Sequence, residues 1–190
     1  LQWLERINGT EEKHSETYCS ILKQAVTLTI PNIEQKSILE LVLSVSELNL
    51  VLEYISYEKL QKIKKRYQQL FQYMEQHNFD LESEALFYSK LTLYFCKYQL
   101  EQIKQKKKER KVLLLKRALQ ICTQGIESLR NHEKVYFALE LLEQKQIILE
   151  SLLEEESNLS LIQIEQYKKA QEEAKNFCFY SLCNVLFHRI

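Results

Sequence analysis

Apolar residues recur every three or four positions along most of this chain of 190 residues, and polar residues occupy the positions between them. This spacing collects the apolar side chains on one side of an α-helix, so it predicts a succession of about seven amphipathic helices. Their predicted limits are Thr10–Thr29, Ile33–Ile55, Tyr57–Gln76, Asp80–Lys106, Glu109–Leu129 and His132–Glu155, with a last helix from Leu161.

Residues that favour helix ends lie between these segments. Pro31 ends the first helix, because proline cannot donate a backbone hydrogen bond within a helix. Asn32, Ser56 and Asn131 are predicted N-caps, whose side-chain oxygens accept hydrogen bonds from the first N–H groups of a helix. The second predicted helix is apolar nearly all round, and we expect it to be covered on several sides.

The amino-acid composition agrees with an all-α fold. The chain contains two Gly and one Pro, and a sandwich, barrel or doubly wound fold needs many more of these residues in its turns. Hydrophobic residues make up 45% of the chain and charged residues 27%. These proportions are typical of a folded globular domain and not of a disordered one.

A short motif at Leu114–Leu119 recurs three times along the chain. Its copies align a small or aromatic residue at Ala25, Tyr67, Ala118 and Ala170, which are 42, 51 and 52 residues apart by their numbers. A period of this length is typical of arrays of paired helices that stack on their neighbours. We therefore predict a single helical-repeat unit over residues 1–190, a segment of a longer protein, with hairpins near 10–55, 57–106, 109–156 and 160–190.

The aligned register makes a specific prediction for the second helix of each pair. A small side chain such as Ala118 lets the facing helix approach closely, so Ala118 is expected to be buried. Lys116 and Arg117 are expected to lie on the solvent side of the same helix.

In this register the chain resembles the tetratricopeptide-like (TPR-like) superfamily of helix-turn-helix repeats. The residues that carry the resemblance are alanines, tyrosines and one leucine: Ala85, Tyr88, Ala118, Leu119, Tyr136, Ala138, Ala170 and Ala174. The resemblance implies antiparallel helical hairpins stacked as an α-solenoid. Divergent members with long helices are found in large ciliary and other cytoskeletal scaffold proteins, so it also implies a ciliary or cytoskeletal setting.

Charge and cysteine usage limit the cellular compartment and the kinds of partner that we expect. Twenty-six basic residues balance 26 acidic ones, so the chain lacks the net positive charge that draws a protein onto nucleic acid or an anionic membrane. An odd number of five scattered Cys residues indicates reduced thiols, and no apolar run is long enough to span a bilayer. We expect a cytoplasmic protein without membrane insertion.

The sequence contains no recognisable catalytic, cofactor or metal signature. Cys178 and Cys183 are five residues apart on a predicted helix, where they point to different faces. With Gly9 and Gly125 as the only glycines, no Gly-rich loop can hold a phosphate, and no Gly-x-Ser-x-Gly motif occurs. We therefore predict that the protein is not an enzyme and has no cofactor, metal or small-molecule substrate.

The densest charge feature is a basic stretch at the predicted turn between the fourth and fifth helices. Its candidate partner-binding residues are Lys104, Lys106, Lys107, Lys108, Arg110 and Lys111. One interpretation is a contact with an acidic partner. The alternatives are a solvated turn, or a contact within the molecule with the acidic run Glu154–Glu156.

Two groups of aromatic residues are further candidates. Tyr88, Tyr94, Phe95 and Tyr98 could line a peptide-binding pocket, but at helical spacing such residues are more often core. In the last helix, aromatic residues such as Phe179 and Phe187 surround the helix almost completely. We expect these two residues to pack within the array or to dock on another repeat or chain.

These observations favour a non-catalytic protein–protein interaction scaffold within a larger assembly, with a ciliary, axonemal or other microtubule-associated setting. Tubulin and axonemal proteins are the expected kind of partner. The alternative is a peptide-binding adaptor whose concave groove is lined by the first helix of each pair. An adaptor that contacts nucleic acid through the basic stretch is a weaker third hypothesis, since no aromatic residues for base stacking lie within that stretch.

Overall fold

The structure is a computed structural model. It describes residues 11–57, 63–77, 81–104, 107–131 and 137–155, together with 164–165, 168–169, 171–172 and 176. The helices in these ranges are α1 (Glu11–Thr29), a short 3-10 helix η1 (Ile38–Glu40), α2 (Val45–Tyr57), α3 (Ile63–Gln76), α4 (Leu81–Ile103), α5 (Lys108–Asn131) and α6 (Ala138–Glu155). No described residue belongs to a β-strand, so the predicted all-α class is confirmed.

The chain divides into two compact units, residues 1–79 and residues 80–190. The predicted hairpin near residues 57–106 spans the border between them. Six α-helices are described where about seven were predicted. The predicted helix from Leu161 lies mostly outside the described residues, although the described positions between 164 and 176 are helical.

In the first unit, α1 packs against α2, and α3 packs against η1 and α2. The buried side chains are mostly aliphatic because one apolar face of each helix turns inward. They include Leu22, Val26, Leu48, Val51, Leu52, Ile55, Tyr67, Leu70, Tyr73 and Met74.

The prediction of a continuous helix over Ile33–Ile55 is wrong. The connection that follows α1 contains only the short 3-10 helix η1, and α2 begins only at Val45. Asn32, the predicted cap, instead has a φ of 67°, a left-handed conformation that asparagine tolerates in turns. Its carbonyl oxygen accepts hydrogen bonds from the Gln35 and Lys36 N–H groups at 3.0 and 2.9 Å.

Two Ser-x-x-Glu motifs account for the break. Around η1, the Ser37 hydroxyl accepts from the Leu39 N–H at 3.4 Å and the Glu40 carboxylate accepts from the Ser37 N–H at 3.2 Å. At the start of α2, the Ser44 N–H and hydroxyl both donate to the Glu47 carboxylate at 2.7 Å. Reciprocal bonds of this kind satisfy N–H groups that a new helix start leaves free, so they favour two starts over one helix.

The connection is fixed further by side chains of α3. The Tyr73 hydroxyl accepts from the buried Leu43 N–H at 2.7 Å, and the Gln69 amide donates to the Ser37 hydroxyl at 2.6 Å. Apolar residues at four positions along the connection are buried with it: Ile30, Ile33, Ile38 and Leu43. Val42 points outward and is 96% exposed.

The boundary between α2 and α3 also differs from the prediction. Ser56 is not an N-cap: it lies inside α2, where its hydroxyl donates to the Glu53 carbonyl at 2.7 Å. Tyr57 is the last residue of α2, and α3 is described from Ile63 to the predicted end at Gln76. A Ser hydroxyl can bond backwards to a carbonyl within a helix as well as cap a following one, and the sequence alone does not separate these uses.

In the second unit, α5 packs against both α4 and α6, and α4 also contacts α6. The helices run antiparallel, because Ser89 meets Gly125 while Cys96 meets Ala118, and Cys122 meets Leu141 while Lys111 meets Glu155. The limits of α4 and α5 agree with the predicted ones to within three residues.

Helix α6 starts later than predicted. Asn131 is the last residue of α5 and not the N-cap of the next helix, and α6 begins at Ala138. Just before it, Phe137 has a φ of 61°, which is a strained conformation for a bulky residue. The Phe137 carbonyl nevertheless accepts the Leu141 N–H at 2.9 Å.

Candidate functional site

The described residues of the predicted basic stretch, 104 and 107–111, lie at one end of the second unit, and we call them the basic turn. It follows the last residue of α4, Ile103, and leads into α5 at Lys108. Four of its cationic residues are exposed: Lys104, Lys107, Lys108 and Arg110. Lys106 lies outside the described residues.

Helix α5 begins within the basic turn, which matters for its electrostatics. The Lys107 carbonyl accepts from the Arg110 and Lys111 N–H groups at 3.1 and 3.0 Å, which closes the first turn of the helix. The first turn of a helix carries the positive end of the helix dipole, so cations there cost about 0.3 to 1 kcal/mol each. The basic turn therefore combines side-chain charge with helix-dipole charge of the same sign.

Lys111 differs from its neighbours. Its ammonium nitrogen lies 2.9 Å from a carboxylate oxygen of Glu155, and both side chains are only 25% exposed. This pair joins the start of α5 to the end of α6. The predicted contact of the basic stretch with the acidic run near Glu154–Glu156 is thus confirmed for this pair, and Lys111 acts as a structural cation.

Beyond the basic turn, one exposed face of α5 also carries positively charged side chains. Arg110, Leu113 and Arg117 are spaced three and four residues apart, so they lie on one side of the helix. Arg110 and Arg117 are exposed, as is Lys116 beside them, which confirms the predicted solvent side of this helix. Leu113 is 69% exposed. This outer face of α5 presents cation, aliphatic side chain and cation in order.

A second surface was missed by the sequence analysis. The apolar spacing of α1 predicts one inward stripe that includes Ile21, Leu22, Val26 and Leu28. Leu22 and Val26 are buried as predicted, but Ile21 is 47% and Leu28 84% exposed. From residue 17 to residue 29 the only charged residue is Lys23, whose ammonium pairs with Glu34 at 3.0 Å. The outer face of α1 is therefore poor in charge and partly aliphatic.

Small residues of α4 and α5 meet at several points, Ser89 and Thr92 with Gly125 and Cys96 with Ala118. We call these residues, together with Cys122, the small-residue seam. The prediction that Ala118 is buried is confirmed, since it is fully inaccessible. Its carbonyl lies 3.7 Å from the Cys96 sulfur, while the Cys122 thiol donates to the Leu141 carbonyl at 3.2 Å. The hydrogen bond with the Cys122 thiol, followed by burial, raises the pKa of Cys96. The Cys96 thiol is thus a poor nucleophile, and both buried thiols serve packing.

The closest approach within the seam lies at Gly125. A Cβ atom at this position would be 2.8 Å from the Thr92 methyl carbon and 3.0 Å from the Thr92 Cβ, so glycine is required there. The Ser89 hydroxyl donates to the Gly125 carbonyl at 3.4 Å. The Thr92 hydroxyl is buried without a hydrogen-bond partner among the described residues. In the sequence, the feature that could have predicted this close contact is the spacing of the small residues Ala118, Cys122 and Gly125.

The tyrosines of the proposed peptide groove do not share one face of α4. Tyr94 and Tyr98 are four residues apart and lie on one side, whereas Tyr88 is about 120° around the helix from Tyr94. All three are partly buried, and burial raises the pKa of Tyr98. The Tyr98 ring packs against the buried Phe95 ring with centroids 6.4 Å apart. The groove stays a prediction.

Other candidate side chains fall into two groups. Phe179 and Phe187 lie outside the described residues. His77 is partly buried and stacks on the Tyr73 ring with centroids 3.9 Å apart. Within the described ranges, no three His, Cys, Asp or Glu side chains come together in a way that could hold a metal ion.

No protein-family model, curated protein or solved structure matches this chain. Among the described helices, none combines the length and the apolar character needed to cross a lipid bilayer.

Proposed function

We propose that this chain is a non-catalytic protein–protein interaction scaffold, a stack of antiparallel helical hairpins of the TPR-like kind that holds a partner within a larger assembly. The setting we propose is a cytoplasmic ciliary or cytoskeletal assembly, and this part of the proposal rests on the resemblance of the repeated motif alone. The antiparallel order of α4, α5 and α6, with α4 touching α6, is what stacked hairpins require.

The observation that carries the proposal is the outer face of α1. The cores of protein interfaces are depleted in charged residues and enriched in apolar contact. Helix α1 exposes Ile21 and Leu28 among uncharged residues, and its single cation in this stretch is already paired with Glu34. A face that served only to meet water would be expected to carry charges, as the outer face of α5 does.

The burial of chemically useful groups adds support. The hydroxyls of Ser89 and Tyr73 and the thiols of Cys96 and Cys122 are all engaged with backbone atoms in the interior. Groups held in this way stabilise packing and are not presented to a substrate. The described surface instead offers helix faces, which recognise a partner by shape and charge.

The experiment is affinity purification from an extract of the source cells, with this chain as bait and quantitative mass spectrometry as readout. Ile21→Glu and Leu28→Glu are expected to lose a defined set of partners by about tenfold or more, because a buried charge in an interface core is costly. The matched control is Ile147→Glu, since Ile147 is 43% exposed on α6 and should leave those partners bound.

The melting temperature of each variant is measured alongside. Substitutions at exposed positions usually change the unfolding free energy by about 0.5 kcal/mol or less, so all three variants should remain folded. An unchanged partner set in Ile21→Glu and Leu28→Glu would contradict the proposal, and so would partners lost equally in the Ile147→Glu control.

A further inference from the structure

We infer that the basic turn and the outer face of α5 together form a docking surface for an acidic segment of a partner protein that also carries an apolar residue. The inference rests on the proposed scaffold function and names the chemistry of one partner. The residues of this docking surface are Lys104, Lys107, Arg110, Leu113 and Arg117.

Two of the cations lie at the start of α5. Lys107 immediately precedes α5 and Arg110 lies in its first turn, where the helix dipole repels positive charge. Glu109 is the only acidic residue of that turn. A charge pattern that weakens the helix it belongs to is explained if a bound anionic group offsets the repulsion.

Some basic residues here interact within the chain, whereas others are exposed to solvent. Lys111 is neutralised by Glu155 at 2.9 Å within the unit, and Lys108 already interacts within the chain. Lys104, Lys107, Arg110 and Arg117 are exposed at the surface. Each of these four can move toward a carboxylate without breaking the Lys111 pair.

The charge and the side chains of this surface favour a protein partner over a nucleic acid or a membrane. The formal net charge of the whole chain is zero, so the extended basic footprint of a nucleic-acid-binding protein is lacking. Residues 104–111 include no aromatic side chain on which a base could stack. Leu113 lies between Arg110 and Arg117 and is 69% exposed. An aliphatic side chain between two cations matches an acidic segment with an apolar residue, whereas a phosphate backbone offers nothing to contact it.

The experiment titrates the whole chain with three probes of equal negative charge. The first probe is a peptide with glutamates on both sides of one leucine, and the second replaces that leucine by glycine. The third is a single-stranded DNA oligonucleotide. Binding is followed by fluorescence anisotropy at two salt concentrations of about 50 and 200 mM, since contacts between exposed charges are screened by salt.

We expect the leucine peptide to bind about fivefold more tightly than the glycine peptide, and this advantage should disappear in Leu113→Ser. Both peptides should bind about tenfold more weakly to Arg110→Glu/Arg117→Glu and at the higher salt concentration. The matched control is Lys64→Glu/Lys65→Glu, which makes the same change of charge at exposed positions near the described start of α3 and should bind as the unmodified chain does.

Three results would overturn the inference. The first is DNA binding as tight as that of the leucine peptide at equal salt, which would indicate a general polyanion site. The second is equal affinity for the two peptides, and the third is no peptide binding up to about 1 mM. Partners retained by the α1 face in the extract experiment would leave the scaffold proposal standing if this surface failed.

Discussion

In the second unit small side chains of α4 and α5 meet, whereas in the first unit the connection between α1 and α2, which contains only the short η1, is held by the hydrogen bonds of polar side chains. The seam at Ala118, Cys122 and Gly125 depends on the absence of bulk. The connection between α1 and α2 depends on Ser44, Glu47 and Tyr73. The comparison teaches that one chain of uniform helical periodicity can be fixed by volume in one place and by hydrogen-bond geometry in another.

The largest expected effect tests the seam. Gly125→Ala places a Cβ 2.8 Å from the Thr92 methyl carbon, and we expect a loss of about 2 kcal/mol in the free energy of unfolding, measured by urea denaturation. The overpacking opposes a gain of up to about 1 kcal/mol from the better helix propensity of alanine.

A double variant sharpens this test. Thr92→Ala removes the methyl group and the buried hydroxyl, so Gly125→Ala/Thr92→Ala should be less destabilised than the sum of the two single variants. Additive losses, or a Gly125→Ala variant as stable as the unmodified chain, would show that the two helices are further apart than the seam requires.

The second effect tests the connection. Tyr73→Phe removes the hydroxyl that accepts the buried Leu43 N–H at 2.7 Å. We expect a loss of about 1 to 2 kcal/mol, because a buried donor is left without its partner. Hydrogen exchange should accelerate at the Leu43 amide. The Leu48 amide, which bonds to the Ser44 carbonyl at 2.9 Å, is the internal control, and faster exchange at both amides would indicate general unfolding instead.

The smallest effect depends on pH. Hydrogen bonds from Ser44 lower the pKa of Glu47 from its ordinary value of 4.5, so the folded state favours the ionised carboxylate. The stabilisation is therefore present above the ordinary pKa and is lost as pH falls through the lowered one. Glu47→Gln keeps the shape and removes the charge. Because solvent screens this surface carboxylate, the loss in the free energy of unfolding should be no more than about 0.5 kcal/mol near neutral pH and should vanish once Glu47 is protonated.

Thermal unfolding of Glu47→Gln and of the unmodified chain, measured across this pH range, checks the prediction. A stability difference that persists unchanged below the pKa of Glu47 would mean that the amide disturbs the cap for a reason other than charge. Glu82→Gln is a comparison variant, since Glu82 is an exposed carboxylate in the first turn of α4.

The same contrast explains which parts of the fold the sequence predicted. Periodicity predicted α4 and α5 well, because their apolar positions recur without interruption and their ends coincide with charged turns. It failed over Ile33–Ile55, where 13 of the 23 residues are apolar and lie nearly all round the predicted helix, so that the period carries no information about where a helix starts. The two Ser-x-x-Glu motifs at Ser37 and Ser44 were present as a signal for that break.

The candidate surfaces were predicted unevenly for a similar reason. The basic turn was predicted because charge is read directly from the residues. The outer face of α1 was not, because Ile21 and Leu22 are adjacent apolar residues and periodicity alone cannot say which of two stripes is buried. The sequence offered a contact between the basic stretch and the acidic run as one alternative, but it could not single out Lys111 and Glu155. These two residues are 44 positions apart in the chain, and their pairing depends on the relative position of α5 and α6.

The two interior thiols have a practical consequence for the kinetics of the second unit. Cys96 and Cys122 are fully buried, whereas Cys19 in the first unit is partly accessible. An alkylating reagent can reach the buried sulfurs only when the packing of α4, α5 and α6 around them opens, so their labelling rate reports how often this local opening occurs. Peptide mass spectrometry resolves each cysteine, so the labelling rates of Cys96 and Cys122 measure the rate of local opening in the second unit.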